Sequence, residues 1–171
     1  MKRIELITTG GTIEKTYDDS TGQLSNRGSI VQRMLRHLTL PDTNVHVREL
    51  MSKDSLELTN TDRELIANVT RAASELSGGV VILHGTDTLS TTGEHLTATI
   101  DPIRIPIVLT GAMRPYEMKR SDALQNLTEA LLAATILDPG VYFVGHGKTL
   151  RFPGVVKDRE NLTFVSGAST S

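Results

Sequence analysis

Short apolar runs rich in β-branched residues alternate along this chain with segments whose apolar residues recur at helical spacing. That alternation restricts the fold more than any other feature. Neighbouring parallel strands need a crossover between them, and a helix that buries one face on the sheet is the usual crossover. The runs Arg3–Thr8, Asn44–Leu50, Gly79–Leu83, Pro106–Leu109 and Gly140–Val144 read as strands. Leu65, Ile66, Val69, Ala72, Ala73 and Leu76 follow a Thr61-Asp62 start signal as one helical stripe, and Leu124, Leu127 and Leu131 form another. Both stripes are expected to face the core. The fold class is therefore expected to be α/β, a single open, mostly parallel sheet with helices on both faces. At 171 residues the chain is expected to be one domain, residues 1–171. From His146 onward it reads as glycine-rich and irregular, ending in a tail, Gly167 to Ser171, expected to fray.

Composition excludes several classes of function. Eighteen Lys and Arg stand against twenty Asp and Glu, a formal net charge of −2 with the signs interspersed. Neither nucleic acid nor an anionic membrane is an expected partner. Cysteine is absent, so disulfides, thiolate metal sites and cysteine nucleophiles are excluded. Glu5 and the polar Thr-Gly run interrupt the N-terminal region before an apolar signal core can form. No stretch approaches the roughly 20 apolar residues of a spanning helix. A cytoplasmic location is expected.

Open α/β sheets hold ligands outside the carboxyl ends of their strands, and polar segments sit at those ends. They are Thr8-Thr9-Gly10-Gly11-Thr12, His84-Gly85-Thr86-Asp87-Thr88 and Thr110-Gly111-Ala112-Met113-Arg114-Pro115. Glycines flanking a threonine allow a sharp turn and close approach to a ligand while a hydroxyl points into the cleft. Taken alone, either loop is also an ordinary tight turn. A threonine hydroxyl needs a base and oxyanion donors to act as a nucleophile. Asp87 directly follows Thr86, where it can orient a lysine or hold a substrate ammonium. The residues alone do not choose that lysine among Lys15, Lys53, Lys119, Lys148 and Lys157. His84 fits a structural hydrogen bond better than a catalytic triad, and His37, His46, His95 and His146 lack metal-ligand spacing. Arg114 and Asp122 are expected to form a salt bridge at the rim that restrains the Ala112-Met113 loop.

Thr9-Gly10-Gly11-Thr12-Ile13 and His84-Gly85-Thr86-Asp87-Thr88, in that order and separation, resemble the bacterial-type L-asparaginases. Gly111-Ala112-Met113-Arg114-Pro115 and Asn126-Leu127 are similar to the same family. The resemblance implies the N-terminal-domain fold of those enzymes and hydrolysis of L-asparagine, with weak glutaminase activity, through a threonyl ester and without metal or cofactor. It implies Thr12 as primary nucleophile, Thr86, Asp87 and Lys157 as a second cluster, and Tyr17 on a mobile lid that includes Asp18-Asp19-Ser20-Thr21-Gly22 and Asn26-Arg27-Gly28. Substrate contacts are implied for Gly11, Ser52, Gly85, Thr86, Asp87 and Ala112, with Ser52 at the α-carboxylate and Asp87 at the α-ammonium. Lys53 stands where long members often carry a neutral amide that contacts the ammonium. The resemblance covers about half of a long enzyme, so a short form without the C-terminal domain is expected, as a homodimer or dimer of dimers.

Two other readings compete. One is an ammonia-supplying amidase subunit or a non-catalytic module of the same fold. The other is nucleotide binding through Gly145-His146-Gly147-Lys148-Thr149, but the phosphate-loop pattern requires glycine where Tyr142 stands.

Overall fold

Strand β1 (Lys2–Gly10) lies between β4 (Thr43–Lys53) and β5 (Gly79–Leu83), and β6 (Pro106–Thr110) and β7 (Gly140–Gly145) extend the sheet. These five strands are parallel, and β8 (Lys148–Arg151) closes one edge antiparallel to β7. The architecture comes from a computed structural model that describes residues 1–167. Residues 168–171 of the tail expected to fray lie outside the described residues.

The middle strands are continuously apolar because both of their faces are covered. Every residue of β5 and β6 is buried. On one face Ile4, Leu6, Val81, Leu83 and Val108 pack against α1 (Val31–Leu35) and α4 (Ala123–Ile136). On the other, Ile7, Val80, Ile82, Ile107 and Leu109 pack against α2 (Asn60–Ser74) and α3 (Leu89–Thr99). The mostly parallel sheet with helices on both faces is as the sequence leads one to expect, and the five expected strands are present, Gly79–Leu83 with the same ends and the other four slightly longer.

Helix α2 begins earlier than the Thr61-Asp62 signal suggests. Thr59 is its N-cap: its hydroxyl accepts from the Asp62 N–H, while the Asp62 carboxylate accepts from the Thr59 N–H. The buried stripe is Arg63, Ile66, Ala67, Thr70 and Ala73, whereas Leu65, Ala72 and Leu76 face solvent. Small side chains let the helix approach the sheet, and Arg63 is tolerated inside because its guanidinium donates to the Leu58 carbonyl at 3.1 Å.

From His146 to Ser166 the chain is not irregular but forms two hairpins. The two-residue turn His146-Gly147, with φ of 53° and 70°, joins β7 to β8 as a hairpin. A second hairpin pairs β9 (Val155–Asp158) with β10 (Thr163–Ser166) and places Phe164 on Phe143, ring centroids 4.2 Å apart. Phe152 packs on α3 at Gly93, where any β-carbon would collide with its ring. The Gly145–Thr149 segment is thus an antiparallel turn, with none of the strand-to-helix geometry that cradles a phosphate.

Candidate active site

The parallel strands deliver their polar ends to one side of the sheet, and glycines allow those ends to touch. Gly10 and Gly11 hold φ of 102° and 81°, conformations that L side chains avoid. A β-carbon on Gly10 would collide with the Lys53 backbone, and one on Gly11 would lie under 3.0 Å from Gly85 Cα. The loop carrying Thr12 therefore rests directly on the loop carrying Thr86. Gly85 is itself backed by Ser55, and Gly111 lies against the His84 carbonyl and the Thr86 methyl.

Thr12 opens a short 3-10 turn, Thr12–Glu14, and is half-buried. Glu14 anchors that turn from beneath. Its carboxyl accepts from the Gly10 N–H at 3.1 Å and from the Ser29 hydroxyl. Burial raises Glu14 from an ordinary 4.5 to about 7, against the lowering effect of those hydrogen bonds. Asn26 donates to the Gly11 carbonyl at 2.9 Å.

At the second loop His84 is wholly buried. The Gly85 carbonyl can only accept, so Nδ1–H donates to it at 2.8 Å, and Nε2 accepts from Thr92 at 2.8 Å. Burial lowers the His84 pKa to about 4, so the ring is neutral near pH 7. His84 is the structural hydrogen-bonding residue that the sequence suggests.

The Lys157 ammonium donates to Thr86 Oγ1 at 2.7 Å and to Asp87 Oδ1 at 2.9 Å. Strand β9 holds that lysine through its pairing with Phe164 on β10. Of the five lysines weighed from the sequence, Lys157 is the one placed against both Thr86 and Asp87. Lys157, followed by Arg159 donating at 3.0 Å, keeps the Asp87 carboxyl below the usual aspartate range despite partial burial. Lys15 pairs instead with Asp54 at 2.9 Å, and Lys148 donates to the Phe164 carbonyl. Lys53 pairs with Asp62 at 2.8 Å, which directs it to the start of α2.

Ser52 lines a cleft of about 260 Å³ with Lys15, Leu24, Asn26 and Asp54. Its oxygen accepts from the Gly28 N–H at 3.1 Å, so its own O–H proton is free to donate. Ala112 is buried in the third loop. Asp122 restrains that loop, but the expected salt bridge to Arg114 is replaced by backbone contacts. Its carboxylate takes the Met113 N–H at 2.9 Å and the Arg114 N–H at 3.1 Å, while the Arg114 guanidinium reaches toward the Arg120 carbonyl. His146 bonds Asp122 at 2.6 Å, and Asn126 joins the Gly111 carbonyl to the His146 N–H.

Tyr17 stands apart from this hydrogen-bonded cluster. It is 56% exposed on β2 (Thr16–Asp18), which pairs with β3 (Gln23–Ser25), and its N–H donates to Glu117. The polar stretch beyond it is a turn ordered around buried Asp18, which accepts from Ser20, Thr21 and Arg27. Those contacts, with the Ser20 hydroxyl first, lower Asp18 to about 2. Among the described residues no cluster of three His, Asp or Glu is arranged to hold a metal ion. No helix there is long and apolar enough to cross a membrane.

Glu14 and Arg159 are two of the polar residues of this region that the sequence does not single out. Arg159 carries one available signal: it follows Lys157 by two, the spacing that keeps side chains on one face of an extended segment. Glu14 carries none, because an acid after a turn usually faces water.

The family described as Asparaginase, N-terminal, matches residues 3–163. This chain belongs to the asparaginase family. L-asparaginase 1 of Escherichia coli strain K12 is 33% identical over 138 residues, which are 78% of this chain and 40% of that protein. A glutamyl-tRNA(Gln) amidotransferase subunit of Methanococcus vannielii is 30% identical over 152 residues, 86% of this chain and 35% of that protein. The solved thermostable L-asparaginase from Thermococcus kodakarensis superposes with a TM-score of 0.88 at 29% identity, over 96% of this chain and 51% of that one. This asparaginase-family chain thus spans less than half the length of these two curated relatives.

Proposed function

We propose that this chain hydrolyses the side-chain amide of L-asparagine to L-aspartate and ammonia, with weaker action on L-glutamine. The observation that carries the reading is the Lys157 ammonium held 2.7 Å from the Thr86 hydroxyl oxygen and 2.9 Å from Asp87. A lysine, a hydroxyl and a carboxylate in one chain of contacts, against a second glycine-bound threonine, suit acyl transfer through an activated hydroxyl.

In this scheme Thr12 Oγ attacks the amide carbon. The new C–O bond forms, the C–N bond breaks, and ammonia leaves with the hydroxyl proton. Water then adds to the threonyl ester, the bond to Thr12 breaks, its oxygen regains a proton, and aspartate departs. Thr86 and Lys157 move the proton, and Tyr17 supports Thr12 once its hairpin closes over the substrate. Asp87 takes the α-ammonium and Ser52 the α-carboxylate, with the Gly11, Gly85 and Ala112 backbones around the amide. The scheme needs no metal or cofactor.

A coupled ammonia assay on the purified chain, with asparagine and glutamine, tests this reading. Release from asparagine that disappears in Thr12→Ala is the expected result. No release from either amide sinks it. The amidotransferase relative favours a second reading, an ammonia-supplying subunit. That reading predicts release only when a partner protein is added. Light scattering beside the assay tests the homodimer or dimer of dimers proposed for the active form.

A further inference from the structure

Asp87 is met by more positive charge than the proposed chemistry uses. Its Oδ1 accepts from Lys157 at 2.9 Å and also from Arg159 Nη1 at 3.0 Å. The two cations differ in their surroundings. The Lys157 side chain is 14% exposed and also bonds the Thr86 hydroxyl, whereas that of Arg159 is 69% exposed and reaches in from solvent. Lys157 belongs to the reacting cluster. Arg159 covers the carboxylate from outside.

The position of Arg159 is built rather than incidental. It opens the turn between β9 and β10, and the Asp158 carboxylate pins that turn by accepting from the Asn161 N–H at 3.1 Å and from its side-chain amide at 2.8 Å. Asp87 Oδ2 has no hydrogen-bond partner among the described residues. An ammonium on Oδ2 would lie one carboxylate width from the oxygen that holds the guanidinium. Like charges so close repel, and the single negative charge of Asp87 is already shared by two cations.

We infer that Arg159 is a specificity-determining residue: it occupies Asp87 in place of a substrate α-ammonium and tilts the site toward ω-amides that carry a carboxylate without an α-amino group. The inference rests on the reading of Asp87 as the ammonium site. An α-amino substrate gains Asp87 only against the repulsion of Arg159 or by displacing it. A substrate lacking that amine leaves the ion pair in place and keeps every other contact. Arg159 touches neither Thr12 nor the Thr86 hydroxyl in the proposed scheme, so its effect falls on binding and not on turnover.

L-aspartate and succinate differ only in the α-ammonium, so calorimetric binding of each to the wild-type chain, Arg159→Ala and Arg159→Lys isolates the effect. Arg159→Ala is expected to tighten L-aspartate about fivefold, the upper range for an exposed ion pair. Succinate affinity is expected to stay level or weaken, while Arg159→Lys restores most of the wild-type ratio. In ammonia assays the same alanine variant should lower KM for asparagine, leave KM for succinamate unimproved, and keep kcat within about twofold. Ammonia release by the wild type with an unchanged aspartate-to-succinate ratio in Arg159→Ala overturns this inference alone. Neither binding nor ammonia release by the wild type overturns the amidohydrolase reading and this inference together.

Discussion

Gly11 and Gly85 meet backbone to backbone, so closely that a β-carbon on Gly11 would fall under 3.0 Å from Gly85 Cα. Two strand ends more than seventy residues apart in sequence are thereby fixed side by side, and Thr12 and Thr86 are the residues that follow them. Gly11→Ala faces both this collision and a φ of 81°, whereas Gly147→Ala faces a φ of 70° with nothing within 4 Å. Gly147→Ala is therefore expected to lose about 1 kcal/mol of stability from backbone strain alone, with turnover intact. Gly11→Ala is expected to lose roughly 2 kcal/mol or more and nearly all turnover. Urea unfolding and ammonia release on both variants check this. Equal losses in both would mean that the inter-loop contact contributes nothing.

Thr86, Asp87 and Lys157 form one connected cluster, so their removal is expected to act on chemistry more than on folding. Thr86→Ala and Lys157→Met should each reduce kcat by about 10³-fold or more, because the proposed proton path is cut. The fold should survive Lys157→Met, since Arg159 still pairs with Asp87. Circular dichroism and kcat on the same preparations separate the two effects. Near-normal turnover in either variant removes that residue from the scheme.

The parallel strands are legible in the sequence because strands buried on both faces read as unbroken apolar runs, as in Gly79–Leu83. The phase of α2 is less so. Apolar Leu65 and Leu76 draw attention away from Ala67 and Thr70, the small residues that face the sheet. Strands β8, β9 and β10 are only four residues long. Such strands show little periodicity, and their pairing is settled by hairpin turns and by Phe164 stacking on Phe143. The same limit governs the candidate site. Glycine and threonine spacing exposes Thr12 and Thr86, but among chemically identical lysines only the β9 register brings Lys157 to a hydroxyl 71 residues away. Without the family resemblance nothing in the sequence distinguishes it.

Asp122 holds the third loop through two backbone N–H groups and a histidine, so its truncation leaves donors without an acceptor. Asp122→Ala is expected to cost on the order of 2 kcal/mol, measured by urea unfolding. Because Ala112 lies in that loop, KM for asparagine should rise more than kcat falls. Burial alone would raise the Asp122 carboxyl, but the Met113 N–H and the His146 ring outweigh it and hold it below 3.8. A carboxyl with a lowered folded value contributes stability above its unfolded value and loses it as pH falls. The difference between wild type and Asp122→Ala should therefore shrink in acid. A constant difference down to about pH 2 would remove the charged form from the argument.

Glu14 has the opposite dependence. Its ordinary value is 4.5 and burial raises it to about 7, with the Glu49 charge adding to the rise. Below 4.5 the group is neutral in both folded and unfolded chains and costs nothing. Between that value and about 7 the unfolded chain ionises while the folded chain keeps its proton, so stability falls as pH rises. Above the folded value the full penalty, on the order of 3 kcal/mol, is in place. Glu14→Gln is expected to remove that slope, because a neutral amide fills the same space and can still accept from Ser29 or Gly10. Urea unfolding of both proteins at intervals from about pH 5 to about pH 8 gives the comparison. The variant should gain relative to wild type as pH rises, a window well above the one governed by Asp122. Parallel stability curves would show that Glu14 is ionised in the folded protein throughout, held there by the Gly10 and Ser29 donors at the base of the Thr12 turn.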